Sequence, residues 1–295
     1  MNTNDREPLP MADAVERVAA SVVGLLTRRH RSAGVLWRAG VVVGSASSLW
    51  RANSVTLVLP GGEQIDGTLR GIDVGTDLAA VSFAERGLPV VQRVAADAVP
   101  RVGDAVCAVG RESSGQTQAS FGHIGAVGGP WRSWRGARVE RLIRLDGGLY
   151  PGFSGAAVAD ATGLVLGVAS AAFARHHGVV LPAATIDRVI EQLLTHGRVQ
   201  QGYLGIAAQP VRALRDGVGV DGLLVSSVAD DGPAARAGLL VGDVIVALGG
   251  QPAGSLDSVR ERLAVGAQVQ LDVTRGGHAH TLSLQVTERP RSRCG

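Results

Sequence analysis

From Ser21 to about residue 185 the chain is a succession of short β-rich runs cut by Gly, Asp and Pro, with no long helical interval between them. The runs fall at 34–37, 40–43, 54–59, 64–69, 79–83, 105–109, 138–144, 156–158, 165–170 and 179–181. Strands this short and this regularly spaced predict antiparallel barrels. The 41 glycines and 12 prolines fit the many tight turns that such a fold needs. Upstream, Val15, Val18 and Ala19 keep helical spacing before Ser21-Val22-Val23 turns strand-like, which predicts a short helix feeding the sheet.

A helix is predicted over 184–195, with Ile186, Val189, Ile190 and Leu193 on one face and a stop at His196-Gly197. Arg198-Val199-Gln200-Gln201 reads as a linker into a second, smaller domain. That domain has its own order: a strand at 223–228, a turn at 230–233, a short helix at 234–237, a strand at 243–248, a helix at 256–263, and strands at 268–274 and 279–286. The expected organisation is a flexible 1–10, a barrel domain 11–197, a linker 198–201, a second domain 202–288 and a flexible tail 289–295.

Composition narrows the function classes. With 45% hydrophobic and 19% charged residues the chain is globular, and at a net charge of +3 with scattered arginines it is a poor candidate for nucleic-acid binding. Cys107 sits in an apolar stretch and Cys294 near the C-terminus, which argues against a disulfide framework. The first eight residues are polar and no run of 18 apolar residues occurs, so no integral membrane segment is expected and the cytoplasm is the expected compartment. Export by a non-standard route is the alternative. His176-His177 are adjacent, and His278-Ala279-His280 has no cysteine or carboxylate cluster beside it, so neither reads as a metal site. Gly125-Ala126-Val127-Gly128-Gly129 lacks the Lys-Ser/Thr of a phosphate loop and reads as a turn, and no cofactor is expected.

Several motifs, taken in order, carry a family resemblance. They are Ala14-Val15-Glu16-Arg17-Val18 with Ser21-Val22-Val23, Gly75-Thr76-Asp77-Leu78-Ala79, Gly152-Phe153-Ser154-Gly155, Gln201-Gly202-Tyr203-Leu204-Gly205-Ile206, and Gly232-Pro233-Ala234-Ala235-Arg236-Ala237-Gly238-Leu239 followed by Gly242-Asp243-Val244-Ile245. From about Met11 to Val286 the chain resembles the HtrA (Deg) group, trypsin-fold serine proteases followed by a PDZ domain. The resemblance implies a mainly β protein: a trypsin-like double antiparallel β-barrel, then a β-rich PDZ domain with two helices.

It also implies site residues. Ser154 stands at the nucleophile position, Asp77 at that of the orienting acid, and the Gly152 and Ser154 N–H groups at the oxyanion hole. The family's histidine aligns with Ser47, in Gly44-Ser45-Ala46-Ser47-Ser48-Leu49. Of the seven histidines only His30 precedes Asp77, and it lies in the basic turn Thr27-Arg28-Arg29-His30-Arg31. Asp77, lacking an imidazole, is expected to accept hydrogen bonds from Ser47 or from backbone groups. Phe153 replaces the usual Asn, and Ala156-Ala157 replace Gly-Pro, which puts the active geometry of the loop in question.

In the PDZ half, Tyr203-Leu204-Gly205-Ile206 matches the loop that takes a peptide's terminal carboxylate, with Leu204 and Ile206 beside the pocket. On the helix opposite, Leu256, Val259 and Leu263 form a stripe, with Val259 expected near the groove and Leu263 inside. The resemblance implies a pseudoprotease that binds exposed polypeptide C-termini or unfolded segments in protein quality control. The alternatives are an active serine endopeptidase with an unrecognised base, and an oligomerisation scaffold or adaptor, since the family commonly assembles homotrimers.

Overall fold

A computed structural model describes residues 11–290 apart from 53, 175, 216 and 217. The expected flexible N-terminus, Cys294 and most of the expected tail lie outside the described residues. The chain divides into two compact units between Val199 and Gln200.

The first unit opens with α1 (Met11–Ala19) and contains two closed six-stranded antiparallel barrels. The first barrel comprises β1 (Val22–Leu26), β2 (Arg31–Arg38), β3 (Val41–Ser45), β4 (Val55–Val58), β5 (Gln64–Asp73) and β6 (Leu78–Ser82), with the short α2 (Ala46–Leu49) after β3. They close in the order β1-β2-β3-β6-β5-β4. The second barrel begins with β7 (Ala105–Arg111) and β8 (Thr117–Gly128). After a small ribbon of β9 (Trp131–Arg132) and β10 (Arg138–Val139), it continues with β11 (Leu142–Leu145), β12 (Ala157–Asp160), β13 (Val165–Ser170) and β14 (Val179–Pro182), closing as β11-β14-β13-β12-β7-β8.

Alternation fills these barrels. Leu25, Leu36, Leu57 and Val81 belong to the core of the first, and Val106, Ile124, Val158 and Val180 to that of the second. A further cluster joins Val22, Trp37, Val109 and Leu181 of the two barrels to α1 and to α3 (Ala183–His196). The expected stripe on α3, Ile186, Val189, Ile190 and Leu193, is wholly buried, at about 1.5–3 kcal/mol per side chain. Gly197, at φ 70°, ends this helix and donates its N–H to the Leu193 carbonyl.

Two strand readings are corrected. Residues 125–128 belong to β8, the longest strand of the second barrel, and do not form a turn. Gly125 and Gly128 serve close packing: a Cβ would lie 3.2 Å from the Asp146 nitrogen and 3.3 Å from the Leu142 Cβ, respectively. The single run 138–144 is two strands, broken where Glu140 turns to Thr185 and Arg188 of α3. Burial pushes the Glu140 carboxyl up, but the Arg188 guanidinium and the Thr185 hydroxyl outweigh that and hold it below its ordinary value.

The second unit opens with β15 (Gly202–Tyr203), β16 (Ile206–Arg215) and β17 (Val218–Val228). There follow α4 (Pro233–Arg236), β18 (Val244–Leu248), β19 (Gln251–Pro252), α5 (Leu256–Glu261), β20 (Gln268–Arg275), β21 (His278–Gln285) and β22 (Thr287–Glu288). The main sheet runs β16-β17-β18-β20-β21, and β22 pairs with β15. Beneath it, Leu204, Leu223, Ile245, Val259 and Leu271 form a separate core. Asp243, of the Gly-Asp-Val-Ile motif, is 1% exposed and takes both arms of the Arg275 guanidinium at 2.7 Å each.

Candidate functional site

Asp77 begins the site. It follows a turn in which the Asp73 carboxylate accepts the Thr76 N–H at 3.0 Å and the Thr76 hydroxyl at 2.6 Å. Asp77 itself adopts φ 55°, a left-handed conformation that costs a non-glycine residue about 1–2 kcal/mol. Its carbonyl accepts the Ala46 N–H at 3.0 Å, and its side chain, 3% exposed, is held on both oxygens. Oδ1 accepts the Ser47 N–H at 2.8 Å, Oδ2 accepts the Ser170 hydroxyl at 2.6 Å, and the Ser45 hydroxyl lies 3.0 Å from each. Three donors thus hold this buried carboxylate, and none of them is a cation.

Ser47, which aligns with the family's histidine, is exposed, and its hydroxyl lies 2.8 Å from that of Ser45. Ser45 has one proton and gives it to Asp77, so Ser47 donates to Ser45. Sequence reasoning foresaw the bond from Ser47 to Asp77, which is made by the backbone nitrogen. It missed Ser45 and Ser170. Nothing in one sequence marks these serines, because β3 and β13 bring them to Asp77 from 32 residues before and 93 after.

The nucleophile loop lies between β11 and β12. A turn, Phe153 N–H to Tyr150 carbonyl at 3.1 Å, is pinned by Phe153, which is 6% exposed in the second barrel's core. Gly155 then adopts φ 90°, and a Cβ there would lie 2.1 Å from the Ala33 carbonyl oxygen, so only glycine fits. Ser154 is half-buried, and its Oγ accepts the Ala171 N–H at 3.3 Å. Among the described residues no histidine, carboxylate or amine reaches that oxygen within hydrogen-bonding distance. His30 lies in the exposed turn closed by Thr27, as expected. The N–H groups of Gly152 and Ser154 are not taken by any other described residue, while the Gly152 carbonyl accepts the Ala33 N–H at 3.2 Å.

In the second unit, the Tyr203–Ile206 loop is fixed through its carbonyls. Leu204 accepts the Ala234 N–H at 2.9 Å, and Gly205, at φ 80°, accepts the Ala229 N–H at 2.8 Å. The Leu204 and Gly205 N–H groups are left without a partner among the described residues, the arrangement that suits an anionic group. Tyr203 and Ile206 are half-buried. On α5, Val259 is 1% exposed and belongs to the same core as Leu204 and Leu263, whereas Leu256 is the partly exposed member of the stripe. A six-residue helix buries the centre of its apolar stripe first, which leaves only the end of the stripe at the surface.

Residues 31–168 match the trypsin-like peptidase domain and residues 202–286 match the PDZ domain. The serine endoprotease DegS of Escherichia coli strain K12 is 29% identical over 320 residues, covering 98% of this chain and 89% of DegS. The solved serine endoprotease of Yersinia pestis superimposes with a TM-score of 0.78 at 26% identity, over 97% of this chain and all of the other. The chain belongs to the HtrA (Deg) family. The HtrA-type protease AlgW, solved with a tripeptide, gives a TM-score of 0.78 at 29% identity, over 97% of this chain and all of the other. A probable periplasmic DegP-like serine endoprotease of Bartonella henselae is 30% identical over 90% of this chain, which spans about half, 56%, of that relative's length.

The HtrA relatives overturn one expectation. Those of the DegP-like type are named as probable periplasmic serine endoproteases, which points away from the cytoplasm. The polar first residues misled because an address is carried by a short segment, not by the folded domains.

Proposed function

We propose that this HtrA homologue is a pseudoprotease: it binds exposed polypeptide C-termini and unfolded segments in protein quality control, and Ser154 does not turn them over. One observation carries the reading. Among the described residues Ser154 Oγ has no base within reach, and the Asp77 carboxylate that would orient one is engaged by Ser45, Ser47 and Ser170. A serine hydroxyl without a base is a weak nucleophile, and loss of the histidine of such a triad costs on the order of 10⁶ in turnover.

The binding half rests on the Leu204 and Gly205 N–H groups, which are positioned to take a terminal carboxylate. Beside them the β16 edge offers a strand for peptide addition. AlgW, of the same family, has been solved with a tripeptide and with a decapeptide, which supports this role.

A second reading, a slow endopeptidase, draws support from the unoccupied N–H groups of Gly152 and Ser154, which resemble an oxyanion hole. Such donors with substrate binding alone leave about 10³–10⁴ over water.

The test is a titration of one peptide ending in an apolar residue, as the free acid and as the C-terminal amide, alongside incubation of casein with wild type and Ser154→Ala. Binding of the acid alone, with casein intact in both, is expected. Equal binding of the amide would count against the carboxylate loop, and Ser154-dependent loss of casein would establish the endopeptidase.

A further inference from the structure

Ser47 and Ser154 are tied to one centre, the Asp77 carboxylate. On one side the Ser47 hydroxyl donates to Ser45 at 2.8 Å, and Ser45 donates to Asp77 at 3.0 Å. On the other, the Ser170 hydroxyl donates to Asp77 at 2.6 Å, and the next residue, Ala171, holds Ser154 Oγ with its N–H at 3.3 Å. The two sides also touch directly: a Cβ on Gly155, the neighbour of Ser154, would lie 3.2 Å from the Ser45 nitrogen. Two separate contacts therefore hold α2, which carries Ser47, against the loop that carries Ser154.

The two hydroxyls have opposite capacities left over. Ser47 has spent its proton on Ser45, so its exposed Oγ remains an acceptor, strengthened through Ser45 by the charge on Asp77. Ser154 Oγ accepts from Ala171, and its own proton has no acceptor among the described residues, so it remains a donor. An acceptor and a donor held together match a group with one N–H and one bare nitrogen, and neutral imidazole is that group. A carboxylate has no proton for Ser47, and an ammonium or guanidinium has no lone pair for Ser154. An amide has both, but its oxygen is too weak a base to take a serine proton at neutral pH. Size agrees as well, since the serine at the family's histidine position is shorter than histidine by one ring.

We propose that Ser47 and Ser154 form a binding site for a neutral imidazole, free or on a histidine of the bound polypeptide, and that this ring gives Ser154 the base the chain lacks. The inference rests on the reading that Ser154 has no base of the chain's own. The ring donates its N–H to Ser47 Oγ, and its bare nitrogen takes the Ser154 proton as Oγ bonds to a carbonyl carbon. The ring then passes that proton to the leaving amine as the C–N bond breaks, and water releases the acyl group and restores the serine. A substrate histidine serves only where it lies beside its own scissile bond, so bulk loss of casein stays unexpected.

The experiment follows labelling of the full chain by a fluorophosphonate, in which Ser154 Oγ bonds to phosphorus, fluoride leaves and the ring takes the proton. It is run at pH 8, where an imidazole of pKa about 6.5 is neutral. Imidazole is expected to raise the labelling rate by at least about 10²-fold, saturably, with no adduct in Ser154→Ala. N-methylimidazole, a base of similar strength without the N–H, is expected to do far less. Ser47→Ala should need about tenfold more imidazole for half the effect. The methylated ring needs no variant, so the test survives if Ser47→Ala misfolds. Amidated Ala-Ala-His-Ala-Ala, set against the same peptide with Gln, separates the sources: activation by the His peptide below the free imidazole concentration assigns the site to polypeptide, and activation by free imidazole alone assigns it to a small ligand. No effect of any imidazole would overturn the inference and leave Ser154 unactivated. An effect linear in concentration and equal for both rings would mean a base acting from bulk solvent, and would overturn the site. Labelling as fast without imidazole would overturn the reading beneath it.

Discussion

The Ser45 hydroxyl sits 3.0 Å from both oxygens of the Asp77 carboxylate. With Ser170 at 2.6 Å and the Ser47 N–H at 2.8 Å, a carboxylate that would serve catalysis becomes the buried centre of a polar cluster.

Removing that centre is expected to harm stability and not turnover. Asp77→Ala would strand two buried hydroxyls and an N–H group, at a cost of about 3–5 kcal/mol in chemical denaturation. Asp77→Asn, which keeps one of the two acceptor oxygens and tolerates the left-handed backbone, is expected to cost less. Neither is expected to change casein degradation.

Restoring a base is expected to do the reverse. Ser47→His should raise Ser154-dependent hydrolysis of a peptide ester by at least about 10²-fold, the lower range of general-base contributions. Adding Ser45→Ala should raise it further, because Asp77 is then free to accept the imidazole N–H. Steady-state rates of the single and double variants, each with and without Ser154→Ala, check both steps.

In the PDZ unit the acid limit is expected to follow Asp243. Burial raises its pKa, but the Arg275 guanidinium and the Leu240 N–H outweigh burial and hold it below the usual carboxylate range. A depressed folded pKa means that the pair stabilises above the unfolded value near 3.9, and that this is lost as the pH falls through the folded pKa. Arg275→Met should cost about 1.5–3 kcal/mol at pH 7, and should flatten the fall in melting temperature below pH 4.

An alkaline limit is expected in the barrels. Burial, with a contribution from Asp160, pushes the Cys107 thiol up to about 11. A raised folded pKa gives stability that is full below the ordinary value of 9.0 and declines as the pH rises toward about 11, on the order of 2–3 kcal/mol in all. Cys107→Ala should remove that decline, as measured by denaturant midpoints from pH 8 to pH 11. In the native protein the thiol should resist alkylation at pH 8.

Much of this architecture was legible in the chain. Alternating runs between turn residues gave the barrels, and the stripe from Ile186 to Leu193 gave α3, because both patterns come directly from burial on one face. Strand β8 was obscured by Gly122, Gly125 and Gly128, which signal turns locally but here admit neighbouring backbone and side chains. Strand β16 was hidden by Pro210, which is tolerated because β16 is an edge strand whose outer N–H groups need no partner. At the site, Ser154, Asp77 and Ser47 could be named from motif order, while Ser45 and Ser170 could not. Their contacts with Asp77 arise from tertiary proximity alone.

The central claim is that Ser154 is an unactivated hydroxyl. The most direct measurement is intact-mass analysis of the wild-type protein after incubation with a fluorophosphonate, which labels only a serine whose proton is taken by a base. No adduct is predicted for wild type, with Ser47→His gaining one. A stoichiometric adduct on wild type that disappears in Ser154→Ala would contradict the account.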